Sequence, residues 1–125
     1  MRVLVVDDSP AFLTACVAVL TQDGHDVVAA GSFEEGRRSL AQDRFDALIA
    51  DVRLGAYNGL HLITLAPPAT LTIAISAFLD GVLRRDAEQA GARFVLKPAN
   101  IAALSALLGP SSASEPSLTR TSVPA

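Results

Sequence analysis

Residues 3–10 read Val3-Leu4-Val5-Val6-Asp7-Asp8-Ser9-Pro10. Four consecutive apolar residues, three of them valines, have the make-up of a short strand buried on both faces. They run straight into two carboxylates. Pro10 then sits where a helix can begin, with Asp8 or Ser9 as its cap. The chain therefore opens as strand, acidic turn and helix. That helix is expected to reach about Gln22, with Phe12, Leu13, Cys16, Val17 and Leu20 on one face, and Gly24 ends it.

The same alternation continues. Asp26 to Ala30 is a second strand, and Ser32 with Glu35 three residues later has capping-box spacing for a helix to about Gln42. Phe45 to Ala50 is a third strand with Asp51 at its end, followed by a loop containing Gly55, Asn58 and Gly59. A short helix from Leu60 stops at Pro67-Pro68. Leu71 to Ile75 is a fourth strand, ending at Ser76. Asp80 opens a helix through about Ala90, with Gly91 as its stop. Arg93 to Leu96 is a fifth strand, ending at Lys97-Pro98. Asn100 caps a last helix, Ile101 to Leu108, which Gly109 ends. Five strands alternating with five helices imply a parallel sheet covered on both faces.

Composition narrows the function. The chain has 125 residues, 50% apolar and 18% charged, which fits one domain with a real core. The folded part is expected over residues 1–109. In residues 110–125, 10 of 16 are Ser, Thr or Pro, the composition of a disordered tail or linker. A formal charge of -3 argues against nucleic-acid binding as the main role. No apolar run approaches the roughly 20 residues of a membrane span, and no signal peptide is recognisable, so no membrane partner and a cytoplasmic location are expected. The single Cys16 excludes an intramolecular disulfide and a cysteine-based zinc site. His25 and His61 have no second ligand at useful spacing and are read as surface or boundary residues.

In a parallel sheet, ligands bind outside the carboxyl ends of the strands. Those ends carry Asp7 and Asp8, Asp51, Ser76 and Lys97. Three carboxylates in one crevice repel each other, and a bound divalent cation relieves that conflict; hard oxygen donors suit Mg²⁺, or Mn²⁺ in its place. Lys97 is the only lysine among 10 basic residues. A flexible ammonium and a hydroxyl suit the oxygens of a transferring phosphoryl group.

In this order and spacing, Asp7-Asp8, Asp51, Ser76 and Lys97-Pro98 resemble the receiver domain of bacterial response regulators. The loop Asp51-Val52-Arg53-Leu54-Gly55-Ala56-Tyr57-Asn58-Gly59 is similar to the family's loop after its phospho-acceptor. The resemblance implies a flavodoxin-like, doubly wound fold with strand order 2-1-3-4-5. It implies Asp51 as the nucleophile toward a phosphohistidine, and Mg²⁺ held directly by Asp8 and Asp51, mainly through water by Asp7, and by the backbone carbonyl of Arg53. Lys97 would pair with Asp51 at rest and with a phosphoryl oxygen afterwards. Ser76 would swing toward that group, and Phe94 would turn inward as the switch aromatic. Ala77 would leave space, and the bond before Pro98 would be cis.

The implied partners are a sensor histidine kinase or phosphotransfer protein, and an output protein or effector domain. The last helix has no charged residue, so an apolar contact is expected there, either with a partner or, in a homodimer, with a second copy. Gly55 stands where relatives usually hold Pro, Tyr57 where they hold an aliphatic or Met residue, and residues 60–70 are short. A small aspartyl phosphatase would want an acid where Arg53 stands. A flavin carrier would not place two aspartates against a phosphate. A receiver-like interaction module that is never phosphorylated is the remaining alternative.

Overall fold

The apolar runs build a single five-stranded sheet. A computed structural model of the chain describes residues 1–78, 80–97 and 101–109, without the side chain of Tyr57. The elements are β1 (Arg2–Val6), α1 (Pro10–Gln22), β2 (Asp26–Ala30), α2 (Phe33–Gln42), β3 (Ala47–Asp51), β4 (Arg53–Leu54), β5 (Tyr57–Asn58), α3 (Leu60–Leu65), β6 (Leu71–Ser76), α4 (Gly81–Gln89), β7 (Arg93–Leu96) and α5 (Ile101–Leu108). The sheet order is β2-β1-β3-β6-β7, all parallel. Counted over the five sheet strands alone, that is the order 2-1-3-4-5.

Alternation along each strand sorts side chains to two faces. Val3 and Val5 of β1 and Ile49 of β3 pack with Cys16 and Leu20 of α1 and Leu104 and Leu108 of α5. Leu4, Val6 and Leu48 point the other way, against Phe33 of α2, Leu62 and Ile63 of α3 and Ala87 of α4. Residues Val3 to Val6 and Ala47 to Ala50 are fully buried. That is why β1 and β3 show no polar alternation in the sequence.

Local rules place the helix ends. Ser9, not Asp8, caps α1: its Oγ accepts from the Phe12 amide at 3.3 Å. Ser32 Oγ accepts from the Glu35 amide at 3.2 Å, but the returning Glu35 carboxylate takes the Gly31 amide (2.8 Å) rather than that of Ser32. Asp80 caps α4, accepting from the Val82 and Leu83 amides.

Two expectations need correcting. The segment after Asp51 is not simply a loop: β4 and β5 pair antiparallel, Arg53 with Asn58 and Leu54 with Tyr57, around Gly55 at φ 61°. A glycine is needed there because that φ disfavours any side chain. Second, His25 is buried, with 4% exposed. It follows the Gly24 turn and folds under the amino terminus, its Nδ1 3.3 Å from the Met1 nitrogen. Burial first, then that ammonium, push the His25 pKa down, against a smaller opposing pull from Asp23. His61 is exposed, as expected. The Asn100 cap, the bond before Pro98 and the tail from Pro110 lie outside the described residues.

Candidate functional site

The parallel register carries β1, β3, β6 and β7 to one edge of the sheet, and each delivers its end residue there. Asp7 follows β1 directly and is fully buried; its amide is tied across to the Ala30 carbonyl at 3.1 Å. Asp51 is the last residue of β3 and 6% exposed. Ser76 closes β6 and is buried. Lys97 follows β7, its amide bonded to the Ser76 carbonyl.

Lys97 is the centre of the arrangement. Its Nζ donates to Asp7 Oδ2 at 2.8 Å and to Asp51 Oδ2 at 3.1 Å. The resting pair with Asp51 was expected; the shorter contact with Asp7 was not, because sequence order cannot say which carboxylate an ammonium reaches. The remaining oxygens are also used. Asp7 Oδ1 accepts from the Ser9 amide at 2.8 Å, and Asp51 Oδ1 from the Arg53 amide at 3.0 Å. Asp8 is exposed, and its Oδ2 accepts from the Gly55 amide at 3.3 Å.

Electrostatics follow from burial. Burial raises the Asp51 carboxyl above its ordinary range, against the Arg53 amide and Lys97, which pull it down, while Asp7 adds to the rise. Burial alone would lower Lys97; hydrogen bonds to Asp7 and Asp51, and their charge, outweigh it and raise its pKa. Cys16, beneath the site on α1, is pushed up to about 12 by burial and then by Asp7, with Lys97 opposing. It is an inert thiol.

Asp7, Asp8 and Asp51 each offer a carboxylate oxygen, and these atoms lie within 4.8 Å of one another. A set of oxygen donors at that spacing fits a hard divalent cation.

The switch candidates are at hand. Ser76 Oγ donates to the Phe78 carbonyl at 3.0 Å and accepts from the Phe78 amide at 3.1 Å, so its hydroxyl is engaged within its own loop. Phe94 is half-buried against the α2/α3/α4 face of the core. The Arg53 side chain is exposed and stacks over the Phe78 ring, 5.0 Å from its centroid. That contact joins β4 to the loop after β6, and nothing in the sequence order announced it.

Gly59 positions Asp51 from outside. Its φ of -63° suits any residue, so conformation is not the reason for glycine. A Cβ there would overlap the Asp51 carbonyl oxygen, and the Gly59 amide bonds the Val52 carbonyl at 2.7 Å.

Comparison with known proteins agrees with this geometry. Residues 3–108 match the family model described as "Response regulator receiver domain". The sensory/regulatory protein RpfC of Xanthomonas campestris pv. campestris is 31% identical over 106 residues, covering 78% of this chain and 15% of that protein. The alginate biosynthesis transcriptional regulatory protein AlgB of Pseudomonas aeruginosa is 32% identical over 101 residues, covering 78% of this chain and 22% of that protein. The chain thus spans less than a quarter of each of these relatives. A CheY-like receiver domain from Methanospirillum hungatei superposes with a TM-score of 0.81 at 25% identity, covering 86% of this chain and 89% of that one. A Burkholderia pseudomallei response regulator, crystallised with a phosphorylated aspartic acid, calcium ion and citrate, gives 0.79 at 26% identity, over 86% and 65% of the two chains.

The chain belongs to the response regulator receiver domain family, a class of phospho-acceptor signalling modules. Its strands, helices and acidic pocket are those of a CheY-like receiver. Among the described residues, no helix is long and apolar enough to cross a membrane.

Proposed function

We propose that residues 1–109 act in the cytoplasm as a receiver that takes a phosphoryl group on Asp51 from the phosphohistidine of a sensor kinase or phosphotransfer protein. The observation that carries this reading is the convergence of Lys97 on Asp7 and Asp51, with Asp8 beside them, at one edge of the sheet. An Asp51 carboxylate oxygen attacks phosphorus. A P–O bond forms, the P–N bond breaks, and its electron pair leaves with the imidazole. Lys97 holds a phosphoryl oxygen as negative charge is delivered to the strand end.

Asp8, Asp51, the Arg53 carbonyl and, less directly, Asp7 would hold Mg²⁺. When bound, the ion supplies positive charge that offsets the phosphoryl oxygens. The outer role of Asp7 is what the family resemblance implies; both its oxygens and both of those of Asp51 already accept hydrogen bonds. Asp8 is exposed and engaged only by a 3.3 Å contact among the bonds described.

The output follows from Ser76. Its hydroxyl leaves the Phe78 carbonyl for the new phosphoryl acceptor, which draws the β6 end toward Asp51 and lets Phe94 turn inward. The result is a population shift between two packings. Its read-out face is α4, β7 and α5, toward an output protein, an effector domain or a second copy. Exposed Val82 and Leu96, at 56% and 44%, support an apolar contact there. Exposed Ala102, Ala103 and Ala106 extend it.

The test is intact-protein mass after incubation with Mg²⁺ and acetyl phosphate, beside Asp51→Asn. One added phosphoryl group, labile to base and lost in the variant, is expected. A folded protein that binds Mg²⁺ yet gains no adduct from this donor or a phosphorylated kinase would favour the alternative, an unphosphorylated receiver-like interaction module.

A further inference from the structure

The Lys97 ammonium has three N–H bonds. Two are matched by Asp7 and Asp51 at 2.8 and 3.1 Å. Its nitrogen also lies over the ring of Phe12, 4.7 Å from the centroid. We propose that Phe12 is a positioning residue: its ring face holds the Lys97 ammonium in place over Asp51. The proposal rests on the phospho-acceptor reading for its effect on rate, but not for the contact itself.

The ring's place is built into the strand end. Asp7 Oδ1 accepts from the Ser9 amide at 2.8 Å, and Ser9 Oγ accepts from the Phe12 amide at 3.3 Å. The other Asp7 oxygen takes Lys97. Carboxylate, helix cap, ring and ammonium are thus linked through one continuous set of contacts. Lys97 needs such a frame because a four-carbon stem has many rotamers. Its side chain is only 15% exposed, so little water competes with the ring for the cation. Phe12 itself is half-buried against the α1/α5 side of the core, so its ring has one side on the core and the Lys97 ammonium over its face.

Lys97 is the only lysine in the chain, so selective ¹³C-lysine labelling yields one set of side-chain NMR signals. The spectra would be recorded on metal-free wild type, Phe12→Leu and Phe12→Tyr. Ring-current displacement of the Lys97 Hε protons is expected in wild type and Phe12→Tyr, and its loss in Phe12→Leu. Initial rates of phosphorylation by acetyl phosphate should fall about tenfold in Phe12→Leu and stay within about twofold in Phe12→Tyr, the scale of a desolvated cation–π contact. A lysine signal unchanged by Phe12→Leu overturns the contact. An unchanged rate, or a tyrosine variant as slow as the leucine one, overturns the positioning role. If wild type takes no phosphoryl group from acetyl phosphate or from a phosphorylated kinase, the phospho-acceptor reading fails, and the lysine signal still decides for or against the contact.

Discussion

The two ends of the sheet carry similar charges in different surroundings. At the carboxyl end, Lys97 bridges Asp7 and Asp51, with side-chain exposures of 15%, 0% and 8%. At the amino end, Arg2 lies 2.5 Å from Asp43 and 4.0 Å from Asp26, with exposures of 39%, 43% and 73%. Each is one cation between two acids. Water separates them in kind. Exposed ions trade solvation for a partner at almost no net gain. Buried ions have no such exchange, so each member of the trio depends on the others. Charge at the amino end holds strand starts loosely in register. Charge at the carboxyl end is poised, and a new anion or cation arriving there must rearrange it.

The largest effect should come from Lys97→Met. It keeps the length of the stem and removes the charge, leaving two buried carboxylates face to face. Unfolding free energy in the absence of metal should fall by about 3 kcal/mol, the usual cost of breaking a buried pair. Mg²⁺ should then raise the melting temperature of the variant more than that of wild type, because it supplies the missing positive charge. Phosphorylation should slow by roughly 10²- to 10³-fold, as when one donor to a developing oxyanion is deleted. Equal melting temperatures, and equal shifts with Mg²⁺, would mean that the trio is no tighter than the Arg2 cluster.

Titration gives a second, smaller contrast. The Asp51 carboxyl is raised above 3.8, chiefly by burial. In metal-free protein, the stability gained by protonating it is fully present below that value and is lost as pH rises through the folded pKa. Lys97 is raised above 10.5, so its contribution is present below that value and lost only as pH climbs past its folded pKa. Metal competes with the Asp51 proton. Mg²⁺ affinity should therefore be full at neutral pH and decline as pH falls, with a midpoint above that of an ordinary aspartate. Calorimetric titrations between pH 4 and 7.5 would show it. A flat profile down to pH 4 would mean that burial does not control this carboxylate.

How far the sequence disclosed this contrast depends on the residue. Strand ends were legible because short apolar runs stop at polar residues, and parallel order brings those stops together. The order itself came with the family resemblance. Two-residue β4 and β5 left no periodicity to read. Asp7 and Asp8 were legible as a pair, but their division of labour was not: burial of one and exposure of the other depend on the turn into α1. Phe12 looked like one more apolar residue on a helix face, because a ring over an ammonium 85 positions away has no local signal. His25 misled for the converse reason. An isolated histidine beside a glycine turn looks exposed, and only the return of the chain under Met1 buries it.

The smallest effect should come from Arg2→Ala. Its guanidinium has a 2.5 Å ion pair with Asp43, and Cζ sits 5.4 Å from the centre of the Phe45 ring. Distance alone would make this as strong as the Lys97 trio, but exposure decides otherwise. Solvent screens the pair, and an exposed ion pair contributes about 0–1 kcal/mol. The variant should lose less than about 1 kcal/mol in denaturant unfolding at low salt, and most of that difference should vanish near 1 M salt, where the screening length is about 3 Å. Phosphorylation should be unaffected, since nothing at this end touches the strand-end carboxylates. A loss as large as that of Lys97→Met, or one indifferent to salt, would show that burial is not what divides the two ends.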